Sequence, residues 1–99
     1  MARLLEPAEL DRQLADLPGW TADGQAISRT FQAPDFLAGV QVVVEVAQAA
    51  EEMDHHPDID IRWRTLHLRL STHSAGGVTQ LDVELAHRID AAATAHGAS

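Results

Sequence analysis

Apolar positions along this chain fall first at helical, then at alternating spacings. Leu10, Leu14 and Leu17 recur at spacings of four and three behind Pro7, which predicts a short amphipathic helix closed by Pro18-Gly19. From Trp20 the pattern predicts a strand, Asp23-Gly24 a hairpin turn, and Ile27 to Ala33 the returning strand. Arg29 interrupts the apolar face that Ile27 and Phe31 share. A long helix follows from Pro34 to about Met53, whose polar arc holds only Gln41, Glu45, Gln48 and Glu52. So little polar surface predicts cover on two sides, by the chain's own sheet and by something else. On a wheel of about 100° per residue, Glu51 falls beside Val40 and Val44, inside the apolar arc.

Strict alternation resumes with Ile59, Ile61 and Trp63, then Leu66, Leu68, Leu70 and Thr72. A tight turn at Arg64-Thr65 would pair Trp63 with Leu66, Ile61 with Leu68 and Ile59 with Leu70, and bring His56 opposite His73. A slip of two residues would keep the same faces and leave these histidines near each other. Asp60 with Arg69 and Arg62 with His67 would then lie on a solvated face. After Gly76-Gly77 a third helix is predicted, with Thr79 as N-cap, Asp82 completing a capping box, and Leu81, Leu85 and Ile89 in its buried stripe. The tail from Ala95 to Ser99 is expected to fray. The order α-β-β-α-β-β-α predicts one α+β domain over residues 1–99, with a four-stranded antiparallel sheet and helices on one face.

Composition narrows the functions open to such a domain. Its 99 residues leave no room for a separate cofactor domain, and a hydrophobic fraction of 45% favours a homo-oligomer. A formal charge of −8 without any lysine argues against direct nucleic-acid contact and against an acidic membrane surface. No signal-like or membrane-spanning run is seen, so a cytoplasmic protein is expected. The absence of cysteine excludes disulfides, iron–sulfur clusters and thiolate catalysis.

Half of the six histidines surround one hairpin: His55 and His56 before Pro57, and His73 after Thr72. Imidazole is the side chain that titrates near neutrality, so histidines converging on one small substrate can exchange protons with it on two sides. A helix stop with a dipole-stabilised imidazole would equally explain His55 and His56 by position alone. Glu51, one turn before His55, can orient an imidazole or simply stand at a fraying helix end. Asp82 is accounted for by capping, though a helix N-terminus beside His73 could serve both roles. Zinc is disfavoured, because adjacent histidines do not easily aim at one ion and no His-x-x-x-His pair is present. His67, His87 and His96 read as surface residues.

Glu51-x-x-x-His55-His56-Pro57, the aromatic Trp63, Thr72-His73, Gly76-Gly77-Val78-Thr79 and Asp82 closely resemble the pterin-4a-carbinolamine dehydratases, whose animal members are also dimerization cofactors of a homeodomain transcription factor. The resemblance runs from Pro18-Gly19-Trp20 through Phe31 and Phe36 to Ile89-Asp90, with Trp63 where tyrosine is commoner and Val78 in place of leucine. It implies that His55, His56 and His73 line a pterin site, with Pro57, Trp63 and Thr72 beside the substrate and Glu51 and Asp82 completing the catalytic set. The reaction implied is loss of water from 4a-hydroxytetrahydropterin, giving quinonoid dihydropterin in tetrahydrobiopterin recycling, without metal or organic cofactor. Association is implied too, sheets joining edge to edge and some members pairing again through helices, so a homodimer or homotetramer is expected. Two other classes remain open: a coactivator-like or assembly role without catalysis, and a pterin enzyme of molybdopterin metabolism.

Overall fold

Four strands and three helices follow one another in the order the spacing predicts, in a computed structural model that describes residues 2–99. Helix α1 (Pro7–Leu14) opens on a proline that needs no amide partner there, and ends earlier than the leucine spacing suggests. Leu17 lies beyond it and is fully buried in the core. Gly19, at φ +91°, turns the chain where a Cβ would sit 2.7 Å from Arg29 Nε. Strand β1 (Thr21–Asp23) therefore begins one residue after Trp20, which is itself buried. The turn to β2 (Ala26–Gln32) is Gly24-Gln25, one residue later than expected, with Gly24 at φ +60° in the first central position.

Arg29 does point to the helix side of β2, and the fold accommodates it. Its Nη1 donates to Asp90 Oδ1 at 3.0 Å, Trp20 Nε1 donates to the same oxygen at 2.8 Å, and the guanidinium lies 4.2 Å from the Phe31 ring centre.

Helix α2 (Phe36–Met53) is capped by Asp35, whose side chain accepts from the Ala38 amide at 2.8 Å. One side, with Gly39, Val42, Val46, Ala49 and Ala50, packs into the core. The rest of its apolar arc is open: Phe36, Leu37 and Val44 are each more than half exposed. Glu51 shares that open side with Val44 and Ala47, so its place among apolar residues on the wheel is a place in solvent.

Strand β3 (Asp58–Arg62) and β4 (Thr65–Leu70) form the second hairpin, and the sheet order is β1-β2-β4-β3, antiparallel throughout. The hairpin register is offset by two residues from the predicted one. Ile61 pairs with Leu66 and Ile59 with Leu68, while Asp60 faces His67 and Asp58 faces Arg69. Trp63 thus leaves the strand for the turn Trp63-Arg64, and Leu70 pairs with Ile27 of β2 instead of Ile59. Alternation cannot detect this offset, because a two-residue shift leaves every side chain on its face. Close approach of α2 is what selects it: a Cβ on Gly39 would lie 3.3 Å from both Ile61 Cδ1 and Leu66 Cδ1.

Helix α3 (Gln80–Ala95) begins with the predicted capping box of Thr79 and Asp82 and buries Val83, Leu85, Ala86 and Ile89. The expected fraying of the tail does not occur. Ser99 and Gln32 exchange two backbone hydrogen bonds, of 2.9 and 3.0 Å, and Ala98 is buried. Among the described residues, no helix is long and apolar enough to cross a membrane.

Candidate active site

The C-terminus of α2 aims the first histidine. Asp54 takes the left-handed conformation (φ +49°), and the His55 amide reaches back to the Ala50 carbonyl at 3.0 Å, the six-residue closure that ends a helix with a sharp reversal. Pro57 then forbids any further helical turn. The reversal carries the His55 ring against the first turn of α3, where Nε2 lies 2.6 Å from Asp82 Oδ1.

Asp82 is fully buried and uses both oxygens. Oδ2 accepts from the Thr79 amide at 2.9 Å and from the Thr72 hydroxyl at 2.8 Å, while Oδ1 faces His55. Capping and histidine contact, alternatives in the sequence, are thus met by separate oxygens of one carboxylate. The hydroxyl protons are ordered by elimination. Thr72 Oγ1 gives its proton to Asp82, so at 2.8 Å it must accept from Thr79 Oγ1, which in turn accepts from the Leu81 amide at 3.3 Å. With two donors already on Oδ2, Asp82 serves as an acceptor, and His55 presents Nε2–H to it. That leaves Nδ1 of His55 for other chemistry.

His56 points elsewhere. Its Nε2 meets Glu51 Oε2 at 2.5 Å, and both side chains are largely exposed. Glu51 therefore orients the second histidine of the pair, not the first. His73 sits in a single 3₁₀ turn (His73–Ala75) that a Thr72–Gly77 backbone bridge closes. His55 and His56 come just before β3 and His73 just after β4, so the three histidines flank one end of the hairpin, and the two-residue offset of the register removes the expected pairing of His56 with His73. His73 is exposed and makes no side-chain hydrogen bond among the described residues.

Trp63 is placed at the opposite end. It is 71% exposed in the hairpin turn, about 20 Å of strand from Pro57 at the usual rise per residue. Thr72 is buried, and its hydroxyl is committed to Asp82. The participation of Thr79 was hidden in the sequence behind its role as N-cap. Among the described residues, no three His, Asp or Glu side chains are gathered as a metal site.

The model of the family described as pterin 4 alpha carbinolamine dehydratase matches residues 3–92. The chain belongs to that family. It is 54% identical over 90 residues to the pterin-4-alpha-carbinolamine dehydratase homologue of Roseiflexus castenholzii, covering 91% of this chain and 97% of the relative. To the homologue of Nocardia farcinica it is 55% identical over 87 residues, covering 88% and 92%. A crystal structure of a transcriptional coactivator/pterin dehydratase from Brucella melitensis superposes with a TM-score of 0.86 at 38% identity, covering 92% of this chain and 98% of the other. The fold also extends to a pterin dehydratase-like RuBisCO assembly factor of the alpha-carboxysome, at 19% identity and a TM-score of 0.62 over 75% of this chain and 86% of that one. In dehydratase-family terms, the elements just described gather the histidine signature at one end of the hairpin, and the buried Asp82 ties its first histidine to α3.

Proposed function

We propose that this chain is a 4a-hydroxytetrahydrobiopterin dehydratase acting in tetrahydrobiopterin recycling. The observation that carries this reading is the His55–Asp82 contact, a histidine held at 2.6 Å by a buried carboxylate through one ring nitrogen. A carboxylate in that position fixes the imidazole tautomer and the direction in which the ring points. A proton-transfer group must be held in a fixed orientation toward its substrate, which is what this contact supplies.

Dehydration breaks the C4a–O bond and removes the proton from N5, forming the C4a=N5 double bond and releasing one water. A general acid must protonate the departing hydroxyl while a base collects the N5 proton. His55 and His73 supply this pair, and His56, oriented by Glu51, holds the pterin ring. Thr72 acts through Asp82, holding the carboxylate against His55. We further read residues 1–99 as one dehydratase domain, working as a homo-oligomer in the cytoplasm on a diffusing pterin and using no metal or organic cofactor.

The test is a stopped-flow assay in which a separate hydroxylase generates the carbinolamine and formation of the quinonoid product is followed against the uncatalysed rate. Acceleration is expected for the wild type and its loss for His55→Ala/His73→Ala. Folded wild-type protein that leaves the spontaneous rate unchanged would refute the reading.

A further inference from the structure

Among the described residues no side chain holds His73. Asp82 fixes His55 and Glu51 fixes His56, whereas the direction of His73 rests on the backbone of its 3₁₀ turn. That turn hangs from a single residue. The amides of Ala75 and Gly76 donate to the Thr72 carbonyl at 3.0 Å each and that of Gly77 at 3.3 Å, and the Thr72 amide returns a bond to the Gly77 carbonyl at 2.8 Å. Gly77 is therefore the point at which the far leg of the loop either stays in register with Thr72 or opens. A cavity of about 340 Å³ separates Gly76, Gly77 and Val78 from Leu10, Gly24 and Gln25, so α1 and the β1–β2 turn stand back from this leg.

We propose that Leu4 is a positioning residue for His73, clamping Gly77 and so holding the turn that carries the histidine. The two adjacent glycines are glycine for different reasons. Gly76 has φ +77°, a conformation that a side chain strains, and a Cβ there would meet nothing within 4 Å. Gly77 lies outside the left-handed region, yet a Cβ on it would come 2.9 Å from Leu4 Cδ2. Room for Leu4, not backbone freedom, is what residue 77 supplies.

The segment that carries Leu4 is itself anchored. Leu5 donates its amide to the Val78 carbonyl at 3.0 Å, Leu4 pairs with Thr79 in an antiparallel bridge, and the Leu5 side chain packs against the core. Pro7 then begins α1, whose Leu10 and Leu14 also reach the core. Val78 and Thr79, the residues gripped in this way, run directly into the first turn of α3, where Thr79 and Asp82 hold the Thr72 hydroxyl. The loop is thus fixed at its near leg by Thr72 and at its far leg by Leu4 and Leu5. Leu4 remains 47% exposed, so its burial contributes little to the fold, and its contact with a glycine serves placement of the loop more than the core. The part that His73 plays in turnover rests on the dehydratase reading; the clamp itself does not.

Amide hydrogen exchange of the full chain tests the clamp without any assay of activity. Leu4→Ala is expected to speed exchange at Ala75, Gly76 and Gly77 by roughly 10-fold, as a local opening does, while the amide of Val46 in α2 keeps its wild-type rate. Leu4→Met, which restores reach across Gly77, is expected to return those rates toward wild type. Gly77→Ala expels Leu4 from the same contact, so the Gly77→Ala/Leu4→Ala protein is expected to exchange no faster than Leu4→Ala alone; additive effects would place the two residues in separate contacts and overturn the clamp. Turnover supplies the second readout. The kcat of Leu4→Ala is expected to fall by roughly 10-fold at nearly constant KM, and Leu4→Met to recover it, because a displaced proton-transfer group loses rate rather than ground-state binding. Wild-type exchange in folded Leu4→Ala overturns the clamp, as does acceleration that extends equally to Val46. Faster exchange of the loop with unchanged kcat overturns its role in placing His73. An inactive wild type counts against the dehydratase reading alone, and exchange at Gly76 and Gly77 still decides the clamp.

Discussion

His55 and Asp82, separated by 27 residues of sequence, meet at 2.6 Å in the interior, and the carboxylate that makes this contact also caps α3. One carboxylate thereby couples the end of α2 to the start of α3 and sets the direction in which an imidazole offers its free nitrogen. Asp82→Asn keeps the size and removes an acceptor. An amide group turned toward either His55 or the Thr72–Thr79 pair presents a donor to a donor. Stability is expected to fall by about 1–3 kcal/mol, the cost of leaving a buried partner unsatisfied. Dehydration is expected to slow by roughly 10²-fold or more, the usual share of a positioned acid or base. Urea denaturation and kcat on the same preparation measure the two effects, and unchanged kcat would remove Asp82 from the mechanism.

Thr72 separates two explanations of its place in the signature. If its hydroxyl touched pterin, Thr72→Val would raise KM; because that hydroxyl is spent on Asp82, the expected result is a lower kcat at nearly constant KM. Thr72→Ser restores the hydroxyl and should restore kcat. A rise in KM alone would return Thr72 to the substrate-binding surface.

The extent to which this site and fold were legible follows from the range of each interaction. Leu66, Leu68 and Leu70 report β4 through a local alternation, and Thr79 with Asp82 reports the start of α3 through a four-residue capping pattern. The two-residue offset of the hairpin was invisible, because it depends on α2 crossing at Gly39 and changes no side chain's face. Arg29 reads as a fault in β2 only while Asp90, 61 residues away, is out of view. The signature residues could be named by resemblance, but not their partners: that Glu51 holds His56 while Asp82 holds His55 depends on the left-handed turn at Asp54, and aspartate there carries no strong signal.

Glu51 and His56 are joined at 2.5 Å with both side chains more than half exposed. An exposed pair contributes little to stability, so Glu51→Gln is expected to change the unfolding free energy by no more than about 0.5 kcal/mol. Its effect on turnover, exerted through the orientation of His56, should shrink as salt is raised toward about 1 M, where screening acts within a few ångströms. The ratio of wild-type to variant kcat/KM across a salt series measures this. A ratio independent of salt would mean that Glu51 acts by shape or hydrogen bonding rather than by charge.

The tail supplies a prediction about stability alone. Removing Ala98 and Ser99 deletes the reciprocal hydrogen bonds with Gln32 and a buried methyl group, at a place remote in sequence from His55, His56 and His73. At about 0.5–1.5 kcal/mol per hydrogen bond, the expected loss is about 2 kcal/mol, with kcat preserved. Urea midpoints of the full and shortened chains check it, and equal midpoints would show that the tail is not bound in solution.

Val44 lies on the open side of α2 with Phe36 and Leu37, an apolar strip that one chain leaves in water. Since Val44 is already half exposed, Val44→Lys is expected to cost the isolated fold less than about 0.5 kcal/mol. If the strip joins two copies, a lysine in its middle places two unpaired ammonium groups in an apolar contact, and the assembly should separate into smaller species of unchanged secondary structure. Sedimentation velocity distinguishes the results at once: a lower mass for Val44→Lys assigns the strip to self-association, whereas an unchanged mass shows that the strip is not a surface through which copies meet.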